Sequence, residues 1–445
     1  MNEARQAKSD GAETAALPGE HPLRRRLSDE VHARPFALLS APERASHLAL
    51  LTGEGTDADR RHLEALCTRY GVEAPEPHAN HVLLDFGEFR LKWERHTEFC
   101  TYTFFRGGPL PEGDPFGESA LDLVPRDWLG EMPGELLAAA NLVLEPRDAP
   151  HRALDMVPEI LGSGNFAAAQ VSGGAAVAFM DFAIDEAGFC RIFVRDRWLK
   201  PRQAGRLVQR LLEIETYRML ALLAFPVARS EGASLTRLGE RLSEITQTMT
   251  EIGALEDERR LLEEITTLSA ETEKIAAQTQ YRFSAARAYH ALVQRRIEEL
   301  REERVEGYQT FTEFVDRRLT PAMRTCEAVR DRLDTLSRRV TRAGQLLRTR
   351  VDIQVEGQNR DLLASMDRRA RLQLRLQETV EGLSVAAITY YAVGLVGYAA
   401  KALKDVGVDL PVDIVTGAAI PVVAGTVWYA IRRVRRMIEK HAAAE

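Results

Sequence analysis

The residues best suited to chemistry lie near the N-terminus, in HPLRRRLSDEVHARPF (21–36), where Arg24, Arg25, Arg26, His32 and Arg34 crowd between Pro22 and Pro35. Guanidinium forks beside an imidazole suit an anion or phosphate, or a docking contact with another domain. A solvated helix ending in a proline loop has the same composition. Arg24, His32 and Arg34 are the candidates of this segment. Further histidines gather at His47, His62, His78, His81 and His96. On paper His78, His81, Glu94, His96 and Glu98 assemble into a metal site, but no spacing matches a zinc pattern, so no metal is assigned. LGSGNF (161–166) is glycine-rich yet has neither GKS/T nor GxGxxG, and reads as a turn. No Ser-His-Asp, Cys-His or paired-carboxylate arrangement stands out. No catalytic residue and no cofactor is therefore named, and an enzyme is the least favoured class.

The elements that must position these residues belong to a chain of 445 residues, enough for two or three folding units. A formal net charge of -7 argues against general affinity for nucleic acid. Cys67, Cys100, Cys190 and Cys326 form no CxxC pair, which suits reduced thiols. Residues 1–20 are polar with no apolar core of a signal peptide, and read as a disordered tail.

Residues 21–225 mix helical and strand patterns, the composition of an α+β domain with a largely antiparallel sheet. Residues 81–93 and 95–107 read as a meander or hairpin, 136–145 as another strand, and 165–196 as three more, turned at Gly173-Gly174 and at 186–188. Residues 41–52 and 57–70 read as helices. A helix break is expected at Pro226, after MLALLAF (219–225).

Residues 226–381 read as a helical stalk. Gly307, with Tyr308, Phe311 and Phe314, marks a bend. Thr320 fits an N-cap with Pro321 at the first helical position, and no proline follows before Ala400. Continuous helix from there would run roughly 120 Å. An apolar stripe through Leu336, Val340, Leu347, Val351, Leu362, Met366, Leu376 and Val380 fits a coiled coil or bundle.

Residues 382–400 and 414–431 carry no charge. At 1.5 Å per residue each spans about 27–29 Å, close to a bilayer's hydrocarbon core. Together they read as a transmembrane hairpin, 382–431. Arginines precede the first run (Arg368, Arg369, Arg371, Arg375) and follow the second in a basic tail, 432–445. That places both termini on the cytoplasmic side. Arg432, Arg433, Arg435 and Arg436 suit lipid headgroups.

HPLRRRLSDEVHARPF, FGEFRLKWERHTEFCTYTF (86–104), RDRWLKPRQAGRLVQRLLEIETYRMLALL (195–223) and SVAAITYYAVGLVGYAAK (384–401) carry a resemblance over nearly the whole chain after residue 20. It is to a bacterial family of unknown function, described only as predicted membrane-anchored proteins. The resemblance implies a bacterial inner-membrane setting and brings no activity. The order of domain, stalk, paired spans and basic tail also resembles CorA-type magnesium channels, which are ring-shaped homo-oligomers. Their Gly-Met-Asn motif is replaced here by GYAAK (397–401), so magnesium selection is not implied.

Three functions follow as expectations. The first is a homo-oligomeric ion pathway or gated membrane device, lined by Tyr390, Tyr391, Gly394, Gly397 and Tyr398, with the outer-loop acids Asp405 and Asp409 attracting cations. The second is a membrane-localised scaffold that binds a cytoplasmic protein partner. The third is a membrane-bound enzyme using the 21–36 segment. The partners expected are a lipid bilayer and further copies of the chain, not nucleic acid.

Overall fold

The computed structural model describes residues 20–25, 27–28, 36–53, 57–77, 79–149, 156–162, 164–405 and 411–442, the side chains of 435–442 excepted. Residues 1–19 of the expected 1–20 tail, the candidates His32, Arg34 and Asp409, and the side chains of Arg435 and Arg436 lie outside the described residues. Two compact units divide the chain: residues 1–247 with 265–342, and residues 248–264 with 343–445.

The first unit is built on β1 (Glu43–Leu51), α1 (Ala58–Tyr70), β2 (His81–Asp85), β3 (Arg90–Arg95), β4 (Phe99–Gly107), α2 (Arg126–Gly130), β5 (Glu135–Glu145), α3 (Val157–Leu161), β6 (Ala167–Val171), β7 (Ala176–Met180) and β8 (Cys190–Asp196). Then come α4 (Pro201–Leu222), α5 (Ala224–Glu251), α6 (Leu255–Leu300), the short β9 (Glu303–Arg304), α7 (Phe311–Asp405) and α8 (Val412–Ala442). The last four helices contribute to the second unit in part or whole. The sheet order is β2-β3-β4-β1-β5-β8-β7-β6-β9. Every pair is antiparallel except β5 with β8.

Period-two alternation gives the sheet two apolar faces. Ala45, Ala140, Leu142, Leu144, Ile192 and Val194 face one core, completed by Leu207, Val208 and Leu211 of α4 and by residues of α6 and α7. Leu48, Leu50, Leu91, Trp93, Tyr102 and Phe104 face the other, under Leu63 and Leu66 of α1. A third cluster packs Val157 and Leu161 of α3 on Val143, Val177, Phe179 and Phe193.

Three local expectations are corrected. Residues 41–52 do not form a helix: they hold β1, paired with β4 on one side and β5 on the other. Backbone pairing on both edges and burial on both faces outweigh the helical preference of its alanines and leucines. The last long helix does not start at Thr320-Pro321 but at Phe311, and Pro321 lies inside it. Its true start is a capping box. Glu313 N donates to Thr310 Oγ1 at 3.2 Å and Thr310 N to Glu313 Oε2 at 3.0 Å. Glu302 accepts from the amides of Phe311 and Thr312. With its first amides satisfied there, the helix passes through Pro321 with one backbone bond missing. The break expected at Pro226 falls at Leu223, and Pro226 sits in the first turn of α5, where a missing N–H is tolerated.

In the second unit, Arg350 and Gln354 of α7 hold the turn between α5 and α6. Arg350 donates to the carbonyls of Met249 and Ile252, and Gln354 Nε2 to that of Gly253 at 2.9 Å.

Candidate functional site

The charge-free part of α7 and the whole apolar part of α8 are long and apolar enough to cross a membrane. Within α7 only 6% of that apolar window is buried, and within α8 none. Glycine and alanine keep the two helices slim. A Cβ on Gly397 would stand 3.4 Å from Thr416 Oγ1 of α8, an ordinary van der Waals distance. Thr416 Oγ1 turns its proton to the Val412 carbonyl of its own helix, at 2.8 Å.

A groove of about 880 Å³ runs along this pair, lined by Thr389, Tyr390, Tyr391, Gly394 and Tyr398 of α7 and by Ile420 of α8, among others. Four of the five residues expected to line a pathway thus share one groove, and Gly397 packs on Thr416 instead. The tyrosines stand out from the chain, 76%, 72% and 76% exposed at Tyr390, Tyr391 and Tyr398. Thr389 Oγ1 is buried without a hydrogen-bond partner. Asp405 ends α7 and is exposed. At the other boundary the Arg432 guanidinium lies 4.8 Å from the Trp428 ring.

Nearer the N-terminus the charges are matched internally. Arg24 and Arg25 both bind Glu20, at 3.0 and 3.1 Å. His81 and Glu94 are register partners on β2 and β3, but Glu94 is taken by Lys92 at 3.1 Å. Glu98 accepts from Tyr289 at 2.7 Å and pairs with Arg282 at 3.0 Å. His96 stacks on Phe99 and His62 on Trp128. Among the described residues no group of three or more His, Cys, Asp or Glu side chains is placed to hold a metal ion. The four cysteines are free and buried. Burial pushes the Cys100 and Cys190 thiols well up, so neither is poised as a thiolate.

His47 is the polar centre that sequence reasoning did not isolate. It projects from β1 between sheet and α4, with Nδ1 2.8 Å from Thr103 Oγ1 and Nε2 2.9 Å from Thr216 Oγ1. Thr216 donates to the Leu212 carbonyl at 3.0 Å, so it accepts from the histidine. The neutral Nε2–H tautomer therefore satisfies both ring nitrogens. Burial, reinforced by nearby Lys92, pulls its pKa down to about 3. The neighbouring cavity is about 30 Å³, room for one water. These groups hold sheet to helix and leave no space for a substrate. Their partners are far apart in sequence, Thr216 lying 169 residues from His47, so no local motif signals them.

A family model described as "Protein of unknown function (DUF3422)" matches residues 19–438. No curated protein matches the chain. A solved structure, that of the full-length CmaX protein, aligns at 12% identity over 67% of this chain and 89% of its own, with a TM-score of 0.12. So low a score carries no argument about either molecule.

Proposed function

The chain belongs to the DUF3422 family of proteins of unknown function, and we propose that it is a membrane-anchored homo-oligomer whose two apolar helices cross a bilayer as a hairpin. The observation that carries this is that two continuous apolar stretches in the second unit are almost wholly unburied, 6% in α7 and none in α8, whereas exposed apolar side chains in the first unit are scattered singly. Leu383, Tyr390, Leu395, Tyr398, Ile414 and Val422 are each more than two-thirds exposed. Leaving a large apolar side chain in water forgoes about 1.5–3 kcal/mol. Lipid around 382–400 and 414–431 removes that penalty. Flanking arginines support an orientation with both termini on the cytoplasmic side, with Arg432, Arg433, Arg435 and Arg436 at the headgroups, and the family resemblance suggests a bacterial inner membrane.

Lipid does not cover the apolar residues that precede the first span. Leu346, Ile353, Leu362, Met366, Leu372, Leu376 and Val380 are exposed on α7 among charged neighbours. A second copy in a coiled coil covers them. Copies meeting along α7 bring Tyr390, Tyr391, Gly394 and Tyr398 to the centre of the assembly as the wall of an ion pathway, with Asp405 and Asp409 at its outer mouth. A second reading is a membrane-localised scaffold for a cytoplasmic partner. It is favoured by the lack of any Asp, Glu, His, Lys or Arg in either span, where a charged relay would need one.

The decisive experiment fractionates cells and measures the mass of the full-length protein in detergent by light scattering. Retention in the membrane pellet after carbonate washing, with a multimer mass, is expected. A protein released by carbonate, or a monomer in mild detergent, overturns the proposal. Flux of monovalent or divalent ions through proteoliposomes then separates pathway from scaffold.

A further inference from the structure

A second polar feature lies wholly within the sheet-bearing unit and is independent of the membrane reading. The residue after β6, one face of α4 and the end of α6 enclose a cleft of about 260 Å³ lined by Ser172, Gln203, Arg206, Arg210, Glu299 and Arg301. Gln203, Arg206 and Arg210 follow helical three- and four-residue steps, so α4 presents them side by side. The opposite rim is held by the Ser172 amide donating to the Leu300 carbonyl at 2.8 Å. Ser172 and Arg301 both take left-handed backbone angles, φ 57 and 51.

Glu299, the one carboxylate in the lining, is saturated by cations. Its oxygens lie 3.1 Å from Arg210 Nε, 3.0 Å from Arg296 Nη1 and 3.4 Å from Arg295 Nε. Arg206 and Arg301 have no carboxylate at ion-pair distance among the described residues. The Arg206 guanidinium is half-buried and steadied 5.1 Å from the Phe36 ring. Three arginines against one glutamate leave a formal surplus of two positive charges, in a chain whose net charge is -7. The remaining groups are mostly donors: guanidinium N–H groups, the Ser172 hydroxyl, and the Gln203 amide nitrogen, whose oxygen already accepts from Lys200 N at 3.0 Å. A cleft of surplus cations and donors recognises an anion rich in acceptors.

We propose that this cleft binds a phosphate monoester. Such a group carries about -1.5 to -2 charges at pH 7 and three acceptor oxygens, which matches both the surplus charge and the donor set. The volume, about 260 Å³, is just under the roughly 300–1,000 Å³ of sites for drug-sized ligands, so it suits a small ester. The phosphate belongs to a soluble metabolite or to the headgroup of a phosphatidic-acid lipid.

Calorimetry on the full-length protein in detergent, at low salt, tests this with inorganic phosphate and glycerol 3-phosphate. Nanodiscs with and without phosphatidic acid form the lipid arm. Saturable binding is expected, weakened at least tenfold by R206A or R301A, partly restored by R206K and unchanged by R237A. Saturation by soluble glycerol 3-phosphate assigns the metabolite source. Saturable binding only in phosphatidic-acid nanodiscs assigns the lipid. Unaltered thermal unfolding of R301A, on the exposed rim, guards against misfolding as the cause. Absence of saturable binding to every probe, or an affinity in both R206A and R301A equal to the parent's, overturns the proposal.

Discussion

Gly205 lies so close to Ala37 that a Cβ built on it would stand 1.7 Å from the Ala37 carbonyl oxygen. This contact lays the 36–39 segment directly on α4 and fixes Phe36 beside Arg206. Gly205→Ala cannot be accommodated by a rotamer change, because the obstacle is backbone. The expected cost is about 2–4 kcal/mol. Thermal unfolding of the variant checks it, and a melting temperature equal to that of the parent would refute the close approach.

His47 makes stability depend on pH. Its folded pKa, about 3, lies below the ordinary value of 6.5, so between these limits the unfolded chain binds the extra proton. Stability from this group is complete above pH 6.5 and falls as acid is added, by up to about 1.4 kcal/mol per pH unit. In His47→Gln this acid dependence should flatten between pH 6.5 and 4. Parallel slopes for parent and variant would contradict the assignment.

Arg350 faces Glu258, whose side chain is fully buried, at 2.9 Å. Among the described residues neither carboxylate oxygen of Glu258 has a hydrogen-bond partner, so that ion pair is the main compensation for its buried charge. Arg350→Ala also releases two carbonyls of the turn between α5 and α6. We expect a loss of about 2–3 kcal/mol, less than for a fully buried pair because Arg350 is 40% exposed. Adding Glu258→Gln should restore part of it. A double variant no better than the single one would show that the charge is not the cause.

Gly397 packs on Thr416 with room for a methyl group and little more. Gly397→Ala should leave the melting temperature in detergent within the error of measurement. Gly397→Ile should lower it, with an overpacking cost of about 1–3 kcal/mol. Equal effects of the two substitutions would mean that α7 and α8 do not meet at this position.

The periodic signals proved legible where one local pattern decides the outcome. The strands over 136–145 and 165–196 stand as read, since alternating apolar residues and glycine turns act within a few positions. Residues 41–52 failed as a local reading because β1 owes its form to two partners, one 48 to 64 residues away and the other 84 to 101. The capping sequence Thr310-Phe311-Thr312-Glu313 was visible in the chain, and the more conspicuous Thr320-Pro321 pair masked it.

By itself the sequence determined that two charge-free apolar runs stand near the C-terminus, because hydropathy and charge are properties of single residues summed over a short window. It also determined a sheet-bearing N-terminal part and a helical remainder. Only the tertiary structure decided that His47 is sealed between two threonines and that Arg206, Arg210 and Arg301 converge on one cleft. Burial and convergence depend on residues brought together across long stretches of chain, and no short window of sequence contains that distance.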